Sequence, residues 1–212
     1  MFRVATVFTV AFLLSQVPSY TSGVFEREVT TLLQDKLKDH HPYTIPTIPA
    51  LNASTYFISL LFSANNTILT GFDKAYITKF VPPLPLISDA VKIEGMIENM
   101  HFYTEDYSLH GMYRGYHMSA SGRADLTMEK FTIKVFFRAA KYTLLPMSFC
   151  IKTNSLVLKL DVDSITCNLQ GAPLVSAIIS ANEGTFMHLA EERVNENTRA
   201  MEAAINSVTC RT

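Results

Sequence analysis

Residues 155–167, SLVLKLDVDSITC, alternate apolar and polar side chains and then change step. Leu156, Leu158, Leu160 and Val162 share one parity, with Lys159, Asp161 and Asp163 on the other, whereas Ile165, Cys167 and Leu169 carry the apolar set on the opposite parity. Successive side chains of a strand point to opposite faces. A strand with one buried face must therefore slip by one residue between 162 and 165. A β-bulge does this by inserting one residue, which bends the strand and exchanges its faces. The pattern places a bulge near Asp163–Ser164, in a sheet that curls.

The same texture extends from Ser54 to Leu169. FISLLFSANNTILTGFDKAYITKF (57–80) is rich in Ile, Phe, Thr and Tyr, with Asn65-Asn66 and Gly71 as turn or bulge points. VPPLPL (81–86) reads as a proline loop, and LTMEKFTIKVFFRAA (126–140) is the clearest strand. Flanking this region the period becomes helical. Ser22 to Lys38 carries an apolar stripe of Val29, Leu32, Leu33 and Leu37, with Glu26 and Glu28 in its early turns. His40 to Leu51 contains three prolines, which exclude helix, and reads as an extended connector. From Pro173 to Val208 a broad apolar stripe recurs, with Glu191, Glu192, Glu196, Arg199 and Glu202 mostly off it. Unbroken, that helix would be roughly 54 Å long. The expected class is α+β: a long, highly curved antiparallel sheet super-rolled around a long C-terminal helix, with an N-terminal amphipathic helix.

Composition narrows the function. The 212 residues are 48% apolar and only 17% charged, with a formal net charge of -1, against about a quarter charged in an average chain. There is no Lys/Arg run, so the footprint of a nucleic-acid binder is missing. Arg3 followed by the uncharged Val4–Leu14 and then small and polar residues reads as a secretory signal peptide. The expected domains are a signal over 1–22 and one ligand-binding domain over 23–212. No later segment is long enough for a transmembrane helix. An exported chain makes the sequons at Asn52 and Asn65 candidate glycosylation sites.

Three cysteines allow one internal bridge. If SFCIKTNSLVLKL is a hairpin turning near Asn154, Cys167 lies about 30 Å from Cys150. The strand then runs roughly 46 Å from the turn, and the final helix can return along it. That brings Cys210 to Cys150 and leaves Cys167 as a buried thiol.

No catalytic constellation appears: there is no G-x-S-x-G, no phosphate-binding glycine loop, no H-E-x-x-H and no paired C-x-x-C. His40-His41, and His188 with Glu191 and Glu192, read as solvated groups, so no metal or cofactor is expected. What remains is an apolar excess: fourteen Phe, nine Met and nine Tyr, with no Trp. Phe and Met suit an adaptable apolar cavity.

The order of NNTILTGFDKAYITKF (65–80), YSLHGMYRGYHMSASGRADLTMEKFTIKVFF (107–137), SLVLKLDVDSITCNLQG (155–171) and a terminal helix resembles the tubular lipid-binding superfamily. Within it the chain is most similar to arthropod takeout and juvenile-hormone-binding-like proteins and to mite group 7 allergens. The cysteine pair usual near the mature N-terminus of takeout-like proteins is missing. The resemblance implies a sheet wound about the last helix, enclosing an elongated tunnel for a lipid, fatty acid or terpenoid. Parity then assigns the tunnel wall to Phe131, Ile133, Val135, Phe137, Leu158, Leu160 and Val162 from the sheet, and to Ile178, Phe186 and Leu189 from the helix. The expected function is a secreted, non-enzymatic carrier or scavenger, able to touch membranes transiently. The alternative is an exported interaction protein, binding a protein or a microbial surface lipid, whose tunnel is filled by its own side chains.

Overall fold

The computed structural model describes residues 22–39, 41–54, 58–83, 88–144 and 147–210. The expected signal sequence, Ser22 apart, and residues 84–86 of the proline loop lie outside them. The elements are α1 (Ser22–Lys38), β1 (Tyr43–Ser54), β2 (Ile58–Thr70), a 3-10 turn (Phe72–Lys74), β3 (Tyr76–Val81), β4 (Ala90–Tyr113), β5 (Tyr116–Leu144), β6 (Met147–Ile151), β7 (Val157–Asp161), β8 (Ser164–Leu169), α2 (Pro173–Ala181), α3 (Glu183–Asn195) and α4 (Thr198–Thr209). They form an eight-stranded antiparallel sheet, ordered β1-β2-β4-β5-β6, with β3 also on β4 and β7 and β8 also on β5. The sheet curls but does not close, and no helix among the described residues is long and apolar enough to cross a membrane.

Four expectations need correction. The connector at 40–51 is largely strand β1, because Pro46 and Pro49 sit on the sheet's edge, where a missing N–H costs nothing. Register with β2 shifts between Ile48 and Leu51, around Pro49. There is no hairpin at Asn154: β6, β7 and β8 are successive lengths of one edge strand, all antiparallel to β5. Cys150 lies opposite Lys141 and Cys167 opposite Leu126, so the two are even farther apart than the hairpin required. The Cys150–Cys210 bridge is present. Finally, the terminal helix is three helices, broken at Asn182 and at Glu196–Asn197.

The fourth correction concerns the parity slip. It occurs where expected, but not as an insertion: Thr132 pairs with Asp161 and Glu129 with Ser164, three residues on from each other in both strands. Register survives because β5 slips at the same level. Glu129 and Lys130 are both exposed between the inward Met128 and Phe131, and Lys130 takes a left-handed φ of 49°. On β4, Glu98 and Asn99 are likewise exposed between buried Ile97 and Met100, with Ile97 opposite Phe131. The slip is a crease crossing three strands. Lys130 Nζ donates to Asp163 Oδ2 at 2.8 Å across it, and Asp163 holds the ammonium pKa above its ordinary value. Gly71 closes the line: at φ 87° it lets the chain leave β2 so near Asn99 that a Cβ would stand 1.9 Å from the Asn99 carbonyl oxygen.

The helices lie along open strand edges. Glu202 on α4 accepts three backbone N–H groups, Asn154 at 2.9 Å, Ser155 at 2.7 Å and Leu156 at 2.8 Å, and is only 4% exposed. Asn206 accepts from Ile151 N and donates to Ile151 O, and Asn195 does the same at Leu158. Glu191 accepts from Leu160 N, Ser180 from Cys167 N and Ser176 from Leu169 N. These positions recur at intervals of four, seven and eleven residues, which keeps them on one helical stripe. On α1, Glu26, Thr30 and Gln34 do the same for β3, meeting Phe80 N, Ile77 N and Ala75 O.

Replacing Glu202 by Leu leaves the buried Leu156 N–H unpartnered, at about 1–3 kcal/mol, together with the part-buried N–H groups of Asn154 and Ser155, at less each. Glu202→Leu is expected to lower unfolding free energy by about 3 kcal/mol or more in denaturant titration, and Glu202→Gln by less. Separately, the bridge spans a sequence separation of 60, and its reduction is expected to cost on the order of 4 kcal/mol in the same assay.

Candidate functional site

The creases divide the inner face of the sheet into a packed half and a hollow half. On one side of the first crease, Ile93, Phe137, Leu156 and Leu158 pack against Leu33 and Leu37 of α1 and against Met201 and Ile205 of α4. On the other side large residues such as Leu60, Leu109 and Leu169 also pack, but three inward positions are alanine. Ala64, Ala124 and Ala190 border a cavity of about 340 Å³ between β2, β4, β5 and β8 below and α2 and α3 above. Leu60, Leu126, Met128, Ile165 and Leu169 supply its apolar floor. The helix break roofs it. Asn182 Nδ2 donates to Ile178 O at 2.8 Å, and the Asn182 carbonyl accepts from Thr185 N and Phe186 N. The chain restarts there as α3, with Ile179 before the break and Phe186 and Met187 after it on the wall.

A second crease shapes the floor. Asn65 and Asn66 are exposed between buried Ala64 and Thr67, and Glu105 and Asp106 between buried Thr104 and Tyr107. Asn66 carries the left-handed φ of 48°. Thr104 pins this turn in level, donating its hydroxyl to Asn65 O at 2.6 Å and accepting from Asp106 N at 3.0 Å. Tyr107, wholly buried, donates to Gln170 O at 2.5 Å and stacks on Phe62 of the wall. Burial raises its phenol pKa.

Among the described residues the wall carries no Lys, Arg, His, Asp or Glu. Tyr103 turns its hydroxyl away to donate to Glu105 at 2.8 Å. Burial pushes the Cys167 thiol up to about 11, so it stays neutral. Both sequon asparagines are exposed, and Asn65 donates from its amide nitrogen to Asp106 at 2.8 Å.

Among the positions that parity assigned to a tunnel, Phe186 stands on this wall. Phe137 and Leu158 belong to the packed half, with Ile133 and Val135 against them. Phe131 lies in the middle cluster, beside Leu160 and Val162. Ile178 and Leu189 are half-buried on α2 and α3 without reaching the cavity wall. Parity separates inside from outside; it does not say which length of the inside is filled. The signal that could have found the hollow is the small size of Ala64, Ala124 and Ala190 at inward positions.

No protein-family model and no curated protein sequence match the chain. Its structure does match a solved one: the crystal structure of Epiphyas postvittana Takeout 1 superposes with a TM-score of 0.57 over 93% of this chain and 96% of that chain, at 12% identity. The chain has the takeout fold. At that identity the likeness concerns the path of the backbone, and the side chains lining the cavity are this chain's own.

A thiol reacts as its thiolate, so raising its pKa slows alkylation at a given pH. Native Cys167 is expected to resist iodoacetamide at pH 8, to gain reactivity as pH climbs toward 11, and to react at once in denaturant. Fast native labelling at pH 8 would place the thiol at the surface.

Proposed function

We propose that the protein is an exported carrier or scavenger that holds a hydrophobic molecule, of lipid, fatty-chain or terpenoid type, in the cavity beneath α2 and α3. The observation that carries this reading is the cavity itself: about 340 Å³ lined almost wholly by aliphatic and aromatic side chains, within the size range of small-molecule sites. The takeout fold supports it, and so does the disulfide, which suits an oxidising compartment. Catalysis is not part of the proposal, because among the described residues the wall offers neither a base nor an activated nucleophile.

The size of the cavity shapes the reading. The cavity lies on one side of the first crease, while on the other side buried side chains of the sheet pack against α1 and α4, so the proposed ligand sits toward one end of the roll. Each buried methylene contributes about 0.8 kcal/mol, and association costs on the order of 4–15 kcal/mol. Affinities are then modest, with weak discrimination of chain length.

Ala190→Phe and Ala124→Leu both fill the space from opposite walls. Each is expected to weaken binding of a fluorescent apolar probe at least tenfold while circular dichroism stays unchanged. Mass spectrometry of organic extracts is expected to find lipid in the wild-type protein purified from a secreting host. Undiminished probe binding by both filled variants would contradict the proposal.

A further inference from the structure

We infer that Thr67 is the polar anchor of the cavity, and that the ligand is a neutral lipophile bearing one hydrogen-bonding oxygen, such as an alcohol, ketone or ester. This rests on the proposed ligand-binding reading and names the class of molecule that the site selects.

Two threonines flank the second crease, and their hydroxyls have different fates. Thr104 Oγ1 is fully engaged, with Asn65 O on one side and Asp106 N on the other. Thr67, 3% exposed and on the cavity wall, has a hydroxyl buried from solvent with no hydrogen-bond partner among the described residues. A hydroxyl buried unpaired costs about 1–3 kcal/mol on protein scales. Valine has the same shape at no such cost, and favours strands at least as well. Rotation about Cα–Cβ exchanges the threonine methyl and hydroxyl among staggered wells, so the O–H can be presented to a molecule in the cavity without backbone movement. The Tyr103 hydroxyl donates to Glu105 and Cys167 N donates to Ser180, and the free Cys167 thiol on the wall is only a weak donor and acceptor.

Charge sets the second half of the inference. An ionised carboxylate against this apolar wall would meet no cation among the described residues, and burying an unpaired charge is prohibitive. A neutral oxygen needs only one donor or acceptor, and Thr67 offers either.

The test uses the full chain with Asn65→Gln throughout, so that loss of the sequon by Thr67→Val does not confound the comparison. Displacement of a fluorescent apolar probe by decanol, decane and decanoate is measured at neutral pH, where decanoate is ionised. The decanol-to-decane affinity ratio is expected to fall roughly three- to tenfold in Thr67→Val and to return in Thr67→Ser. Decanoate is expected to bind at least tenfold more weakly than decanol. The melting temperature of ligand-free Thr67→Val is expected not to fall. An unchanged ratio, decanoate binding as tight as decanol, or a drop of several degrees on losing the hydroxyl would each overturn the anchor. If decane itself fails to displace the probe from the wild type, the ligand-binding reading falls with it; if decane displaces and the ratio does not move, only the anchor falls.

Discussion

A sheet that curls without closing leaves strand edges, and each edge is a row of unpaired backbone donors and acceptors. This protein covers two of them with helices that present polar side chains as substitute strand partners. Glu26, Thr30 and Gln34 serve β3, and six residues from Ser176 to Asn206 serve the β6–β8 edge. A third edge, β1, is blunted by Pro46 and Pro49. Because the capping residues share one stripe of the helical tract, its adjoining stripe must face the inside of the curl. The edge contacts thus decide which helical residues roof the hollow.

The creases decide where that hollow lies. At each, neighbouring strands turn two consecutive residues outward, so the sheet folds across its width while keeping its pairing. Lys130 and Asn66 take the left-handed backbone that this demands, an uncommon conformation for lysine. One side of the first crease packs against α1 and α4; on the other, alanines set among larger side chains, together with the broken helix, leave the cavity. The break at Asn182 belongs to the same arrangement, since it carries Phe186 and Met187 over the space.

Much of this was legible in the sequence. The bounds of α1, the long strands and the curl at residues 162–165 followed from period and parity, and the Cys150–Cys210 pairing from a helical return along the edge strand, although the hairpin at Asn154 assumed with it is absent. Legibility failed where one physical rule overrode another. Prolines excluded helix at 40–51 but did not exclude an edge strand. Glu191 and Glu202 looked like solvated helix positions because a carboxylate off the apolar stripe is usually wet; their partners are backbone amides remote in sequence, which periodicity cannot display. The cavity was the least legible part. A hollow is a property of what several strands leave unfilled together, and a single-strand pattern reports only the direction of each side chain.

Hydrogen exchange of individual backbone amides tests the edge-capping account most directly. The amides of Ile151, Leu156, Leu158 and Leu160, whose acceptors are helix side chains, are expected to be protected as well as those pairing β4 with β5, and the amides of Ile77 and Phe80 likewise. Exchange of these amides at the rate of an exposed strand edge, with the β4–β5 amides still protected, would contradict it.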